Sequence, residues 1–214
     1  MRTPINKETL ALAWFDAGIF LDKSRSPNGK GFRLKLHEKT PNAPLSPFYL
    51  NFRLLRSFPE LMEDTARLLA EMMEGVAFDL VADIPTAATP LVTLISNLTK
   101  IPMITPREIK THGAGGNIDG VYVSGQRVAL FDDLITKADS KTASAKVLEA
   151  QRLHVAGIFM LVDREQGGMA ELANADYQGR VAWRISELLG LYLSAGNLDQ
   201  ATHDEILTYL FPTV

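Results

Sequence analysis

Two adjacent carboxylates, Asp132 and Asp133, follow the unbroken apolar run Val128-Ala-Leu-Phe131 and lead into Leu134, Ile135 and Thr136. Such a run reads as a strand buried on both faces, and ligands of an open parallel sheet bind beyond the carboxyl ends of its strands. Acids delivered there can accept hydrogen bonds from a ligand. The helix predicted next offers its free N–H groups and dipole to an anion. A second group is cationic. The segment PREIKTHGAGGN (106–117) carries Arg107, Lys110 and His112 ahead of Gly113, Gly115 and Gly116. It has too few apolar residues to pack and reads as a mobile loop. The plain reading is an exposed basic loop; the sharper one is a lid that brings cations to a polyanion. Asp83 and Asp163-Arg164 close two further apolar runs.

These residues need a scaffold, and the chain spells one out. FDLVAD (78–83), IPMIT (101–105), RVALFDD (127–133), VAGIFMLVD (155–163) and RVAWRI (180–185) are short apolar runs. Helical stretches are predicted between them at 88–99, 140–152 and 165–174. That alternation predicts βαβ units and a parallel sheet covered on both faces. Upstream, residues 6–18 have helical spacing. GFRLKL (31–36) alternates like a half-buried strand, and FYLNFR (48–53) is expected to pair with it as a hairpin. Ser57 with Glu60 predicts a capped helix running to about Gly75, and Thr202 with Glu205 predicts a second capping box near the C-terminus.

With its acids, its apolar lead-in and Thr136, the segment 128–136 resembles the ligand motif of the type I phosphoribosyltransferases. Arg107-Glu-Ile-Lys110-Thr-His112-Gly113 narrows the resemblance to the orotate phosphoribosyltransferases, whose lid runs Lys-Glu-x-Lys-x-His-Gly. Ser46-Pro-Phe48-Tyr49-Leu-Asn51 is similar to that family's stretch beside the base. Phe32-Arg-Leu-Lys35 resembles the strand with its base-side lysine, and Ala156-Gly157 with Asp163-Arg164 resembles the site where an arginine meets orotate. The resemblance spans roughly residues 10–190.

The resemblance implies an α/β fold: a type I phosphoribosyltransferase-like parallel sheet flanked by helices, with an N-terminal helix and hairpin as a hood. The expected division is 1–56 for the hood, 57–190 for the core and 191–214 for a helical tail. The implied activity transfers phosphoribose from phosphoribosyl pyrophosphate to orotate, giving orotidine monophosphate and pyrophosphate. Asp132 and Asp133 would hold the ribose, and Thr136, Lys137 and Ser140 the 5′-phosphate. Arg107, Lys110 and His112 would close over the diphosphate. Arg164 would pair with the orotate carboxylate, with Phe48 and Tyr49 near the base and Lys35 near the base or the diphosphate. Mg²⁺ on the diphosphate and a homodimer with exchanged lids are implied as well.

The chain departs from the family at its anion contacts. Thr136 is followed by Lys137-Ala138-Asp139-Ser140, where members usually carry a glycine and then Ser or Thr. Asp83 stands where many have glycine. Pro106 opens the lid where some have arginine, and residues 37–45 replace a short turn. A second reading therefore stays open: a protein of the same fold with altered or lost catalysis that binds a nucleotide or base.

Composition narrows the field further. The chain has 214 residues, a net charge of −3 and no cysteine. Disulfides, thiolate metal sites and a cysteine nucleophile are excluded. A mildly acidic chain is not expected to be held by nucleic-acid phosphates. No apolar run suits a membrane span and the N-terminus lacks a signal-peptide core, so a cytoplasmic protein is expected. The three histidines outside the lid (His37, His154, His203) are isolated and suggest no zinc site. Trp14 and Trp183 are expected in the core.

Overall fold

The computed structural model describes residues 4–34, 36–107 and 117–212. They form two compact units, one of Met1–Lys7 with Met62–Ile185, the other of Glu8–Leu61 with Ser186–Val214.

The first unit is the α/β domain. Its strands are β3 (Leu80–Asp83), β4 (Met103–Pro106), β5 (Ile118–Asp119), β6 (Arg127–Ile135), β7 (His154–Asp163) and β8 (Gly179–Arg184), after β1 and β2 of the other unit. They lie in the order β5-β4-β3-β6-β7-β8. All neighbours are parallel except β5, which runs antiparallel to β4 on the edge. Val128–Phe131 at the centre are wholly buried. This is why these strands read as continuous apolar runs and not as alternation. The helices between them are α4 (Thr89–Thr99), α5 (Asp139–Ala150) and α6 (Gly168–Asn174), numbered after α1–α3. Leu91, Val92 and Ile95 of α4, Ala145 and Leu148 of α5 and Leu172 of α6 supply the buried faces. Trp183 is in the core, with Lys7 Nζ 4.0 Å from its ring centroid. α3 (Pro59–Glu71) begins with proline at its first position, and Ser57 belongs to the preceding 3-10 turn (Phe52–Ser57). Proline's fixed φ suits that place, so the helix does not start from the Ser57 cap expected above.

The second unit packs α1 (Lys7–Asp16), the ribbon β1 (Phe20–Asp22) and β2 (Phe48–Leu50), α7 (Ile185–Ser194) and α8 (Gln200–Leu210) around aromatic rings. Phe20 stacks on Phe48 at 6.0 Å and meets Tyr192 edge-on at 5.3 Å, while Tyr192 donates to the Ala11 carbonyl. Trp14 is buried as expected.

The expected 31–36 strand does not form. The partner of 48–50 is 20–22, in the register Phe20↔Leu50. Among the described residues Phe32 makes one isolated antiparallel bridge, to Ser46, just outside the predicted partner 48–53. The reason is local: the Leu34 N–H donates to His37 Nδ1 and the His37 N–H to the Leu34 carbonyl, turning the chain into α2 (Leu36–Lys39). Side-chain bonds of this kind compete with a ladder. The second capping box is also displaced. Asp199 caps α8, accepting from the Thr202 N–H at 2.6 Å.

Candidate active site

The register brings the carboxyl ends of three strands together. Asp83 lies beside Phe131, and Ile135 beside Asp163. The Arg164 N–H continues the pairing by donating to the Ile135 carbonyl at 2.9 Å. One edge of the sheet thus presents Asp83, Asp132, Asp133 and Asp163-Arg164, the places named from sequence. β6 runs two residues past its expected end, so both acids sit inside the strand rather than at its exit.

Asp132 is buried. One of its oxygens accepts from Lys141 Nζ at 2.6 Å and the other from the Asp133 N–H at 2.9 Å. Asp133 is half-buried and accepts from the Leu134 N–H at 2.8 Å. Burial pushes its carboxyl up to about 7. The Asp132 charge and a hydrogen bond between the two acids push the same way, against the pull of Lys141 and the Leu134 N–H. This is the behaviour of like charges crowded at one site.

The turn from β6 into α5 carries Thr136, Lys137 and Ala138. Ala138 has φ −84° and ψ −5°, an ordinary right-handed conformation that needs no glycine. Its N–H is already engaged, donating to Glu171 Oε2 at 2.8 Å, while Lys137 Nζ meets the other Glu171 oxygen at 3.1 Å. The Ala138 N–H first and Lys137 second hold the Glu171 carboxyl below its usual range. Lys137 is therefore aimed at α6. α6 comes this close because Gly168 has no side chain: a Cβ there would lie 2.5 Å from Ile135 Cγ1 and 2.9 Å from the Thr136 carbonyl. Asp139, the first residue of α5, is exposed at the positive end of the helix dipole, with Ser140 exposed next to it.

Asp83 is fully buried. The hydroxyls of Thr89 and Thr105 donate to its two oxygens, Thr105 at 2.5 Å. It is thus tied to α4 and β4 by two charge-assisted hydrogen bonds. Asp83→Ala strands both hydroxyls, and urea denaturation should show a loss of about 1.5–3 kcal/mol.

Arg107 is the last described residue before the segment expected to act as a lid. Its N–H donates to the Asn117 carbonyl at 2.7 Å, and its guanidinium pairs with Asp119 at 3.0 Å. Lys110 and His112, with the loop expected to be mobile, lie outside the described residues, as does Lys35. Arg164 is buried in the α/β unit. In the other unit Phe48 is buried, whereas Tyr49 stacks on Phe32 at 5.6 Å. Tyr49, Phe32 and Arg33 line a hollow of about 450 Å³.

Four residues at this edge were not among the expected site residues: Lys141, Glu171, Thr89 and Thr105. Lys141 alone left a signal. It heads the row Lys141, Ala145, Leu148, whose i, i+4, i+7 spacing marks the buried face of α5.

No protein-family model matches the chain. Among curated proteins, an orotate phosphoribosyltransferase of Thermococcus gammatolerans is 33% identical over 147 residues, covering 67% of this chain and 78% of that protein. The chain belongs to the orotate phosphoribosyltransferase family. An orotate phosphoribosyltransferase of Caenorhabditis elegans is 28% identical over 169 residues, 78% of this chain and 74% of that one. The structure of Leishmania donovani UMP synthase superposes on 98% of this chain and 43% of its own length, with TM-score 0.82 and 28% identity. An orotate phosphoribosyltransferase from Aeropyrum pernix, at 20% identity and TM-score 0.72, shares the fold. The α/β architecture with helices on a parallel sheet is that of the family, as the resemblance implied. No helix among the described residues is long and apolar enough to cross a membrane.

Proposed function

We propose that this chain transfers the phosphoribosyl group of phosphoribosyl pyrophosphate to orotate, releasing pyrophosphate and orotidine monophosphate. The observation that carries the reading is the paired acids Asp132 and Asp133 in the last half of the central strand, ahead of the turn into α5. In the reaction the bond from C1 of the ribose to the diphosphate breaks as a ring nitrogen of orotate, giving up its proton to solvent, bonds to that carbon. Positive charge builds on the sugar and negative charge on the leaving group. Asp132 and Asp133 would accept hydrogen bonds from the ribose hydroxyls and orient C1. Thr136, Ser140 and the N–H groups opening α5 would receive the 5′-phosphate, with Lys137 tethered to Glu171 at the rim. Arg107, Lys110 and His112 would neutralise the diphosphate and shed water from the site. Arg164 would answer the charge of orotate. Among the described residues no three acidic or imidazole side chains gather where they could hold a metal. Mg²⁺ enters this proposal as an ion carried on the diphosphate oxygens; bound there, it would offset charge on the leaving group. A homodimer and a cytoplasmic location complete the proposal.

A second reading, a binding module without turnover, draws on the Glu171 carboxylate that already occupies the Ala138 N–H. One assay separates the two. The purified chain with orotate, phosphoribosyl pyrophosphate and Mg²⁺ should release pyrophosphate in step with orotate consumption. No turnover, together with binding of orotidine monophosphate by calorimetry, would establish the second reading instead.

A further inference from the structure

Lys141 is the only buried lysine among the described residues. It stands in a helix row that is otherwise apolar, two residues into α5. Its ammonium reaches back across the turn. Nζ lies 2.6 Å from Asp132 Oδ2, 2.6 Å from the Leu134 carbonyl oxygen and 3.4 Å from Ser140 Oγ. Those first two contacts bracket Asp133. The N–H of Asp133 is held by Asp132, and its carboxylate holds the Leu134 N–H. One buried cation therefore fixes the residues on both sides of the second acid. It also supplies positive charge where two neighbouring carboxylates would otherwise repel each other.

We propose that Lys141 is a positioning residue for phosphoribosyl pyrophosphate: through Asp132 and the Leu134 carbonyl it presents the acid pair to the ribose in one fixed orientation. The proposal rests on the transferase reading above. It differs from the roles of Lys137 and the lid cations, because Lys141 is buried and acts through Asp132. The turn it clasps has no glycine between Thr136 and Ser140. Its geometry is therefore set by side-chain contacts, and a lost contact is felt at the ligand.

The test is steady-state kinetics on the full chain, with native Lys141 compared to Lys141→Met and Lys141→Arg. Met keeps the length and removes the charge; Arg keeps charge and donors. Misplacing a binding group by about 1 Å can change rates by about a hundredfold. KM for phosphoribosyl pyrophosphate should accordingly rise about tenfold to a hundredfold in Lys141→Met, while KM for orotate moves less than about twofold. Lys141→Arg should recover most of the loss. A lysine that only props the fold would lower the melting temperature and the active fraction, leaving both KM values as they were. That result overturns the proposal, as does an equal rise in both. Should Lys141→Met not fold, Lys141→Gln is read by the same criteria. A native chain that neither turns over nor binds phosphoribosyl pyrophosphate defeats the transferase reading and this proposal with it. An active native chain with an unshifted Lys141→Met defeats this proposal alone.

Discussion

Asp132→Ala should lower the free energy of unfolding by roughly 3–5 kcal/mol, because it strands a buried ammonium. The Lys141 and Asp132 side chains are only 5% and 9% exposed, and their charged atoms are 2.6 Å apart. After the substitution Nζ keeps the Leu134 carbonyl and a long contact to Ser140 but loses its ion-pair partner. Moving the lysine out to water would break the buried row of α5. Adding Lys141→Met to Asp132→Ala should return most of the loss, since an apolar side chain of similar length needs no partner. Replacing both members of a buried pair is often close to neutral, whereas removing one is not. Urea unfolding of the two single variants and the double variant measures this as a coupling energy. Simple addition of the single losses would mean that the pair contributes no more than a surface contact. The exposed pair Lys137–Glu171 serves as the internal comparison: with side chains 57% and 42% exposed, it is the kind of contact that typically contributes at most about 1 kcal/mol.

How much of this was legible in the sequence follows from what each signal depends on. The strands 80–83, 103–106, 127–135, 154–163 and 179–184 were readable because burial on both faces leaves an uninterrupted apolar run, and no partner needs to be known to see it. Asp132 and Asp133 were readable for the same reason, since acids stand out after Phe131. The 20–22 strand was not. Phe20-Leu-Asp22 is too short to show a period, and the stronger alternation at 31–36 drew the pairing to itself. What defeated that alternation was a single side chain, His37, whose ring engages the Leu34 N–H. Asp83 was visible as an acid, but its meaning depended on Thr89 and Thr105, six and 22 residues away. No local pattern connects them. Ala138 was suspect only by comparison with glycine. Its backbone conformation is an ordinary right-handed one, and the Glu171 carboxylate that holds its N–H comes from α6, 33 residues on. Lys141 was the reverse case. Its place in the i, i+4, i+7 row was open to view, but a lysine is normally assigned to the solvent face.

Asp133 should make the protein less stable as the pH rises, and Asp133→Asn should abolish that dependence. Its carboxyl is raised from 3.8 to about 7, first by burial and then by the Asp132 charge. The folded chain therefore holds this proton more tightly than the unfolded chain does. The stabilisation from the protonated form is complete below about pH 4 and is lost as the pH climbs through about 7. A shift of this size corresponds to at most about 4 kcal/mol, and partial exposure of the side chain brings it lower. Asparagine keeps the shape and carries no charge. The variant should therefore approach the native chain's stability near pH 4, already exceed it at pH 5, and exceed it by a few kcal/mol near pH 8. Urea unfolding at pH 5, 6, 7 and 8 reads the difference directly, and parallel curves for the two proteins would refute it. The same ionisation bears on function with the opposite sign. A carboxylate accepts hydrogen bonds from two hydroxyls better than the neutral acid does, so kcat/KM for phosphoribosyl pyrophosphate should increase through about pH 7, reporting the free enzyme's group. In Asp133→Asn that limb should be missing and the value low throughout. The form of Asp133 that the fold prefers is then the form the ligand does not want. Such opposition is what the proposed ribose-binding role of the two carboxylates predicts, a site crowded for binding rather than for stability.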